Sequence, residues 1–502
     1  MRKYVIRIFA VLLLLCTLLP LLPAQTEAIG LEQYYTYNYD WNEYALPSPD
    51  AYTVRYRIDP ADLGVGKLKG ALGMFVRGND LYLVDTGNNR ILQLRLAEAD
   101  TELIREIKGT EAWTLSAPED VFVTEAGTMY IADTGNKRVL VVDRELNILS
   151  VIEQPTGATY DSTVEFKPSK LAVTAGDRLY VQATGVNKGL LEFSPEGVFN
   201  AYIGASSVRF DWQDYIWKLI STDAQVAQME SFVPTEYNNI ALDNKGYLFV
   251  TTNVFEVNDL LTGVAEPVRR LNQKGKNILI QNDWLVIGDY KWGKTGPSRF
   301  VDVTVLDNGL YYVLDSTNNR IFAYDTQGTP LYTFGGYGTR SGYFQSPKAL
   351  EHWNDDLLVL DAGSGLVTVM RQTEYGALVQ EAIETYADGE YDASYACWEQ
   401  VLQVNGNYRL AYDGIGKILL RNGEYMEALE YLEYARDRYY HSKAFALYRK
   451  DLIEKYLIYV VAAILILVVV LAAVKIIRKE REALLEYEDR YHRIRDQKSG
   501  KQ

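Results

Sequence analysis

The sequence predicts a mainly β chain: a six-bladed β-propeller, then an α-helical repeat segment, then one transmembrane helix. Three observations predict it. A unit of apolar strand, Asp, tight loop and second strand recurs along the first 370 residues, a 34-residue period follows, and an apolar run begins at Tyr456 and meets no charge until Lys475. At 502 residues the chain is too long for one ordinary core. Its 48% hydrophobic and 23% charged content is that of a globular protein, and its 39 tyrosines suit pleated, half-buried surfaces.

The repeats carry most of the weight. Four stretches share the pattern: LYLVDTGNNRILQL (81–94), MYIADTGNKRVLVV (129–142), LYYVLDSTNNRIFAYD (310–325) and LLVLDAGSGLVTVM (357–370). Degenerate copies lie at 178–193 and 246–257. Taking Asp85, Asp133, Gln182, Thr251, Asp315 and Asp361 as equivalent gives spacings of 48, 49, 69, 64 and 46. The short spacings fit one four-stranded blade each, and the long ones imply insertions. The propeller is expected over 51–372, with Tyr52–Ile58 as an extra strand closing the ring.

Within each loop the chemistry is structural. Asp85 and Asp133 end a strand where an Asx turn is expected. Gly87 and Gly135 are expected to supply a positive φ. Arg90 and Arg138 are placed to pair with carboxylates in or beside the blade, and Asn88, Asn136, Asn318 and Arg320 are the other structural residues of the loops. Such a loop has too few carboxylates to hold calcium alone.

These loops resemble the NHL repeat. Asp85-Thr86-Gly87-Asn88-Asn89-Arg90-Ile91 matches that family's signature throughout. The second copy has Lys137 and Val139 as departures, the third has Ser316-Thr317, and the copy at Asp361 lacks the Asn and Arg. The resemblance covers about 50–370. It implies an NHL-type six-bladed propeller and leaves function open, because such folds host many roles.

Two segments decorate the ring. Residues 211–230 (DWQDYIWKLISTDAQVAQME) have helical spacing and a capping box at Thr222 and Gln225. Trp212, Tyr215 and Trp217 there are candidate partner-binding residues. The Tyr-rich lead at 29–50 reads as an aromatic arm packed on the propeller, or as a sugar-stacking strip.

From 376 to 454 the period turns helical. Gly389 and Gly423, Tyr391 and Tyr425, and Trp398 and Leu432 are each 34 apart, the tetratricopeptide period. Tyr412, Ile415, Gly416, Leu419, Ala428, Leu432 and Ala435 fit that family's consensus. Ala382 and Ser394 stand where the second copy has Gly416 and Ala428. Tyr412 and Tyr425 are the candidate partner-binding residues here. About two repeats is a short stack, so it is expected to lean on the propeller, the membrane or a partner.

The ends set the topology. Arg2, Lys3 and Arg7, an apolar stretch from Ile8 to Leu22 and small residues to Ala28 read as a signal peptide over 1–28. The run at 456–477 is long enough to span the hydrocarbon core. Basic residues begin at Lys475, and the tail at 478–502 is expected in the cytoplasm with the propeller outside. Net charge is −15, and both ends are basic, so the part between is more acidic still. That disfavours nucleic acid and anionic headgroups.

Catalysis finds little support. Of three histidines only His352 falls in the propeller, too few for a zinc site there. No nucleophile motif accompanies it, and Cys397 reads as helical core. No cofactor is expected. The chain also resembles bacterial membrane-anchored NHL-repeat proteins. That resemblance implies an extracellular scaffold engaging a protein or glycan, accessory to a carbohydrate ABC transport system. The competing reading is a lactonase-like hydrolase with calcium held in the channel by ligands from several blades.

Overall fold

The structure is a computed structural model. It describes residues 35–499 except 41, 43, 99, 157–159, 161–163, 206–236, 256, 264, 281–287 and 290–295. The signal segment, the insertion with Trp212, Tyr215 and Trp217, and parts of the Tyr-rich lead therefore lie outside the described residues. The chain divides into two compact units, Met1–Tyr408 and Arg409–Gln502.

Six antiparallel sheets form the first unit. Blade one is β4 (Gly73–Arg77), β5 (Asp80–Asp85), β6 (Arg90–Leu96) and β7 (Thr101–Ile107). Blade two is β8 (Asp120–Val123), β9 (Met129–Asp133), β10 (Arg138–Val142) and β11 (Ile148–Ile152). Blade three is β12 (Pro168–Val173), β13 (Leu179–Ala183), β14 (Leu190–Phe193) and β15 (Phe199–Ile203). Blade four has three described strands, β16 (Asn239–Leu242), β17 (Leu248–Thr251) and β18 (Val268–Leu271).

Blade five is β19 (Phe300–Val305), β20 (Tyr311–Asp315), β21 (Arg320–Tyr324) and β22 (Pro330–Gly335), extended outward by β1 (Thr36–Tyr39) and β2 (Ala45–Pro47). Blade six is β23 (Pro347–Trp353), β24 (Asp356–Asp361) and β25 (Leu366–Gln372). Its outermost strand is β3 (Tyr52–Ile58), from the other end of the chain, so the expected closing strand is in place. The first strand of every blade contacts the first strand of the next, and β23 contacts β4, which completes the ring of a six-bladed propeller.

The second strands, β5, β9, β13, β20 and β24, are buried almost end to end because neighbouring blades cover both faces. That is why they read as apolar runs. The outer β7 alternates buried and exposed residues, as expected of a strand with one solvated face. Apolar clusters join neighbouring blades, one uniting blades six and one, another blades two and three.

Two alignments shift by one residue. The register pairs Asp120 with Ala132, Lys170 with Gln182, Asn239 with Thr251 and Asp302 with Leu314. Gln182 and Thr251 are thus the residues before the repeat Asp position, which Ala183 and Thr252 occupy. With the Asp gone from both copies, strand alternation alone does not fix the register.

After the last blade the first unit continues into α1 (Glu374–Asp388) and α2 (Tyr391–Val404), and a short helix at Val257–Leu261 also lies within it. Thr373 caps α1 by accepting the Gly376 N–H, and its own N–H donates to the Ala51 carbonyl at 3.0 Å. Tyr408 donates to the Leu331 carbonyl of blade five at 3.0 Å. The first helical pair thus belongs with the propeller. Where α1 meets α2, Ser394 donates to the Ala382 carbonyl at 2.7 Å, and both residues are fully buried.

The second unit is α3 (Arg409–Asn422), α4 (Tyr425–Ala435) and α5 (Arg438–Ser499). Gly416 lets α3 approach α4, since a Cβ there lies 2.6 Å from Leu432 Cγ. Helix α5 runs unbroken from the helical pair through the apolar run and into the basic tail. Among the described residues it is the one helix long and apolar enough to cross a membrane, and its apolar stretch is wholly exposed.

Candidate functional site

The repeat loops, which join the second and third strands of a blade, are built as latches onto the segment that enters the first strand. Asp85 is fully buried and accepts from Arg90 Nε at 2.6 Å, Asn88 Nδ2 at 2.8 Å and the Lys69 N–H at 2.7 Å. Asp133 repeats this with Arg138 Nε at 2.8 Å, Asn136 Nδ2 at 2.8 Å and the Ser116 N–H at 2.8 Å. The expected Asx turns are absent at these two, because both carboxylates are spent on the segment entering the blade. Asp315 and Asp361 do bond their own loops, through the Thr317 and Gly363 N–H groups.

The glycine expectation is also corrected. The positive φ falls on Asn89 (53°) and Lys137 (57°), not on Gly87 or Gly135. Glycine is needed for closeness: a Cβ on Gly87 lies 2.5 Å from the Lys69 carbonyl oxygen, and one on Gly135 lies 2.6 Å from that of Ser116.

Blade five departs from the pattern. Arg320 stacks on the Tyr37 ring at 4.8 Å, while Asn318 Nδ2 donates to Asp315 at 3.1 Å. Tyr37 in turn donates to Asp289 at 2.5 Å, and Tyr39 donates to the other oxygen of the same carboxylate. Ser298 links Asp289 to Asp315: its Oγ accepts the Asp289 N–H at 2.9 Å and donates to Asp315 at 2.8 Å. The described part of the lead is therefore an arm built into blade five. In blade six Asp361 faces Leu366 and accepts only main-chain N–H groups, from Gln345, Ser346 and Gly363.

The register exposes a feature that the motif analysis missed. Equivalent positions at the heads of the six inner strands are Gly73, Asp120, Lys170, Asn239, Asp302 and Ala349. Four consecutive blades thus place a polar side chain around the axis. Asp120 accepts the Leu171 N–H of the next blade at 2.9 Å, and Asp302 accepts the Leu350 N–H of its next blade at 2.7 Å. Asn239 donates to Asp302, and the Lys170 ammonium lies 3.7 Å from Asp120 and 3.4 Å from the Leu72 carbonyl. Gly73 stays small because blade two crowds it, with the Glu119 carbonyl against the place a Cβ would take.

Carboxylates outnumber the ammonium, and the electrostatics follow. Burial pushes Asp302 up to about 7, against the pull of Lys170 and two main-chain N–H groups. Burial, with the charges of Asp302 and Asp120, holds Glu351 well above the usual carboxylate range. Burial alone lowers Lys170, but Asp120, Asp302, Glu119 and Glu351 outweigh it and keep the lysine charged. Counting along the repeat does not by itself find this ring, because its members lie either twelve or thirteen positions before the repeat Asp site.

His352 lies on β23 with Nδ1 2.8 Å from Thr304 Oγ1. Burial lowers its pKa. A hydroxyl beside an imidazole is a nucleophile–base geometry, but Thr304 is only 3% exposed, so a substrate cannot reach its oxygen. No group of three or more His, Cys, Asp or Glu suited to a metal occurs among the described residues. In the second unit Tyr412 packs on Tyr431 and Tyr434 of α4, with ring centroids 6.1 and 5.4 Å away, and Tyr425 is half-buried at the start of α4.

No protein-family profile matches the chain, and no curated protein matches it. Among solved structures it is similar to a streptogramin B lyase (11% identity, 65% of this chain and 100% of that one, TM-score 0.39). It is also similar to the virginiamycin B lyase of Staphylococcus aureus (10% identity, 63% and 99%, TM-score 0.38) and to the hydrazine synthase of Kuenenia stuttgartiensis (12%, 62% and 97%, TM-score 0.37). At such identities and scores these likenesses carry no argument about chemistry.

Proposed function

We propose that the chain is a membrane-anchored binding scaffold, with an NHL-type propeller held outside the cell and followed in sequence by tetratricopeptide-like pairs. One observation carries the reading. Helix α5 leaves a folded helical pair and continues without a break through an exposed apolar stretch and into a basic cluster. Such a stretch is costly in water and is stable in a bilayer. The basic end then stays in the cytoplasm and the acidic propeller outside.

The axial ring supports binding over catalysis. Its carboxylates are committed to main-chain N–H groups of the next blade and to Lys170, so they serve as fasteners between blades. Partner recognition then falls to the candidate residues Trp212, Tyr215 and Trp217 of the insertion and Tyr412 and Tyr425 of the helical pairs. A protein or glycan outside the cell, as in a carbohydrate ABC transport system, is the partner class. The experiment is in-cell crosslinking of the full-length protein with identification of linked residues. Permease or solute-binding subunits linked through 211–230 or 376–450 are expected.

The lactonase-like reading needs calcium ligands converging from several blades, and Lys170 places an ammonium among the available carboxylates. If no partner crosslinks, and calcium raises the melting temperature while lactone hydrolysis is measured, the scaffold reading is replaced by that one.

A further inference from the structure

We infer that the part of α5 beyond the apolar run is a docking helix for a second helix whose apolar seam is flanked by acidic residues. The inference rests on the anchor reading, because it needs this segment to emerge from a bilayer. Residues 478–499 continue the helix and project it about 33 Å at 1.5 Å per residue.

Four side chains there form one seam. Leu484 and Tyr491 are spaced by seven, as are Tyr487 and Ile494, which sit three residues after them. These are the two inward positions of a heptad, repeated twice. All four are more than half exposed. A stripe of this width left in water is unfavourable and calls for a partner helix.

The flanking charges decide which partner. The positions bordering the seam hold Arg481, Glu488, Arg490 and Arg495, three cations against one anion. A second copy anchored by the same span must run parallel and in register. It sets Arg490 beside Arg495 of the other copy on both sides of the seam, two like-charge contacts with no attractive pair to offset them. A helix with Glu or Asp at its bordering positions meets these cations favourably instead. Asp489 is 3.7 Å from Arg493 on the same helix, so that charge is answered locally, away from the seam.

The test uses the full-length protein in lipid nanodiscs and two labelled three-heptad peptides. Both peptides carry the same Leu seam, one bordered by Glu and the other by Lys. The Glu peptide is expected to bind about tenfold more tightly than the Lys peptide, with the difference shrinking at high salt. The double substitution Arg490→Glu and Arg495→Glu is expected to invert the preference, and Leu484→Asp with Tyr491→Asp to abolish binding of both. Equal binding of the two peptides, no binding of the Glu peptide, or energy transfer between tail-labelled copies that blocks it, each overturns the proposal. Alkaline extraction of the same protein from membranes reads the anchor separately: release from the bilayer rejects the span, whereas retention with no peptide preference rejects only the docking helix.

Discussion

The Lys170 ammonium lies 3.7 Å from Asp120, and the two residues hold equivalent positions in neighbouring blades. The charge of the lysine pulls Asp120 down against its burial, and Asp302 also feels it. Lys170→Met leaves these acids without a counter-charge, which costs about 3–5 kcal/mol for a broken buried pair. Urea denaturation of the detergent-solubilised protein is expected to register that loss more strongly at pH 8 than at pH 5, where the acids can take up protons. A loss of equal size at both pH values, or none, places the lysine outside the electrostatic balance.

Asp302 gives the native ring a pH dependence of its own. Its folded pKa of about 7 lies above the unfolded value near 3.9. The unfolded chain therefore releases this proton first as pH rises. The stability linked to Asp302 is complete below about pH 4 and is lost as pH climbs through about 7. Melting temperature is expected to fall across that window and to level off above it. Asp302→Asn flattens the slope while lowering stability overall, because one of the oxygens that accept main-chain N–H groups becomes a donor.

The two intact latches differ in depth. The Arg90 side chain is 6% exposed and also meets Glu106 at 2.7 Å and the Val65 carbonyl at 2.6 Å, whereas the Arg138 side chain is 20% exposed. Arg90→Leu is expected to cost about 3–5 kcal/mol by stranding the buried Asp85. Arg138→Leu costs about 1.5–3 kcal/mol, since water can reach the vacated site. The order is checked by denaturation midpoints of the two variants, and the reverse order refutes the assignment by burial.

What was legible in the sequence follows from what each residue type must do. The strands around Asp85, Asp133, Asp315 and Asp361 announced themselves because a buried second strand is apolar on both faces and the loop after it repeats. Blades three and four slipped by one residue because Ala183 and Thr252 stand where the Asp marks the strand end. The axial ring escaped notice because its members differ: Gly73, Asp120, Lys170, Asn239, Asp302 and Ala349 share a position and not a side chain. Only pairing register reveals that. The splitting of the helical pairs was hidden too, because it depends on contacts such as Tyr408 to Leu331, 77 residues apart.

Tyr37 tests whether the lead strand is a fastening of blade five. It is fully buried, lies under Arg320 and donates to Asp289, itself 2% exposed. Tyr37→Phe keeps the ring under the guanidinium and removes one donor to a buried carboxylate, a loss of about 1.5–3 kcal/mol. Limited proteolysis of the variant is expected to release the amino-terminal arm sooner than in the wild type. Unchanged proteolysis rejects the fastening role.

Gly416 sets two effects against each other. An alanine in mid-helix gains about 1 kcal/mol over glycine from backbone entropy. Here the added Cβ lies 2.6 Å from Leu432 Cγ, 2.8 Å from its Cδ2 and 3.3 Å from its main-chain nitrogen. Leu432 is fully buried, so its side chain has little room to give, and overpacking of this kind costs about 1–3 kcal/mol. The contact also includes main chain, which cannot swing aside. Packing therefore wins, and Gly416→Ala is expected to lower the stability of the α3–α4 pair. Hydrogen exchange in α3 and α4 of the full-length protein reads this locally: faster exchange there, with the propeller unchanged, is the expected result, and slower exchange means that helix propensity outweighs the close approach.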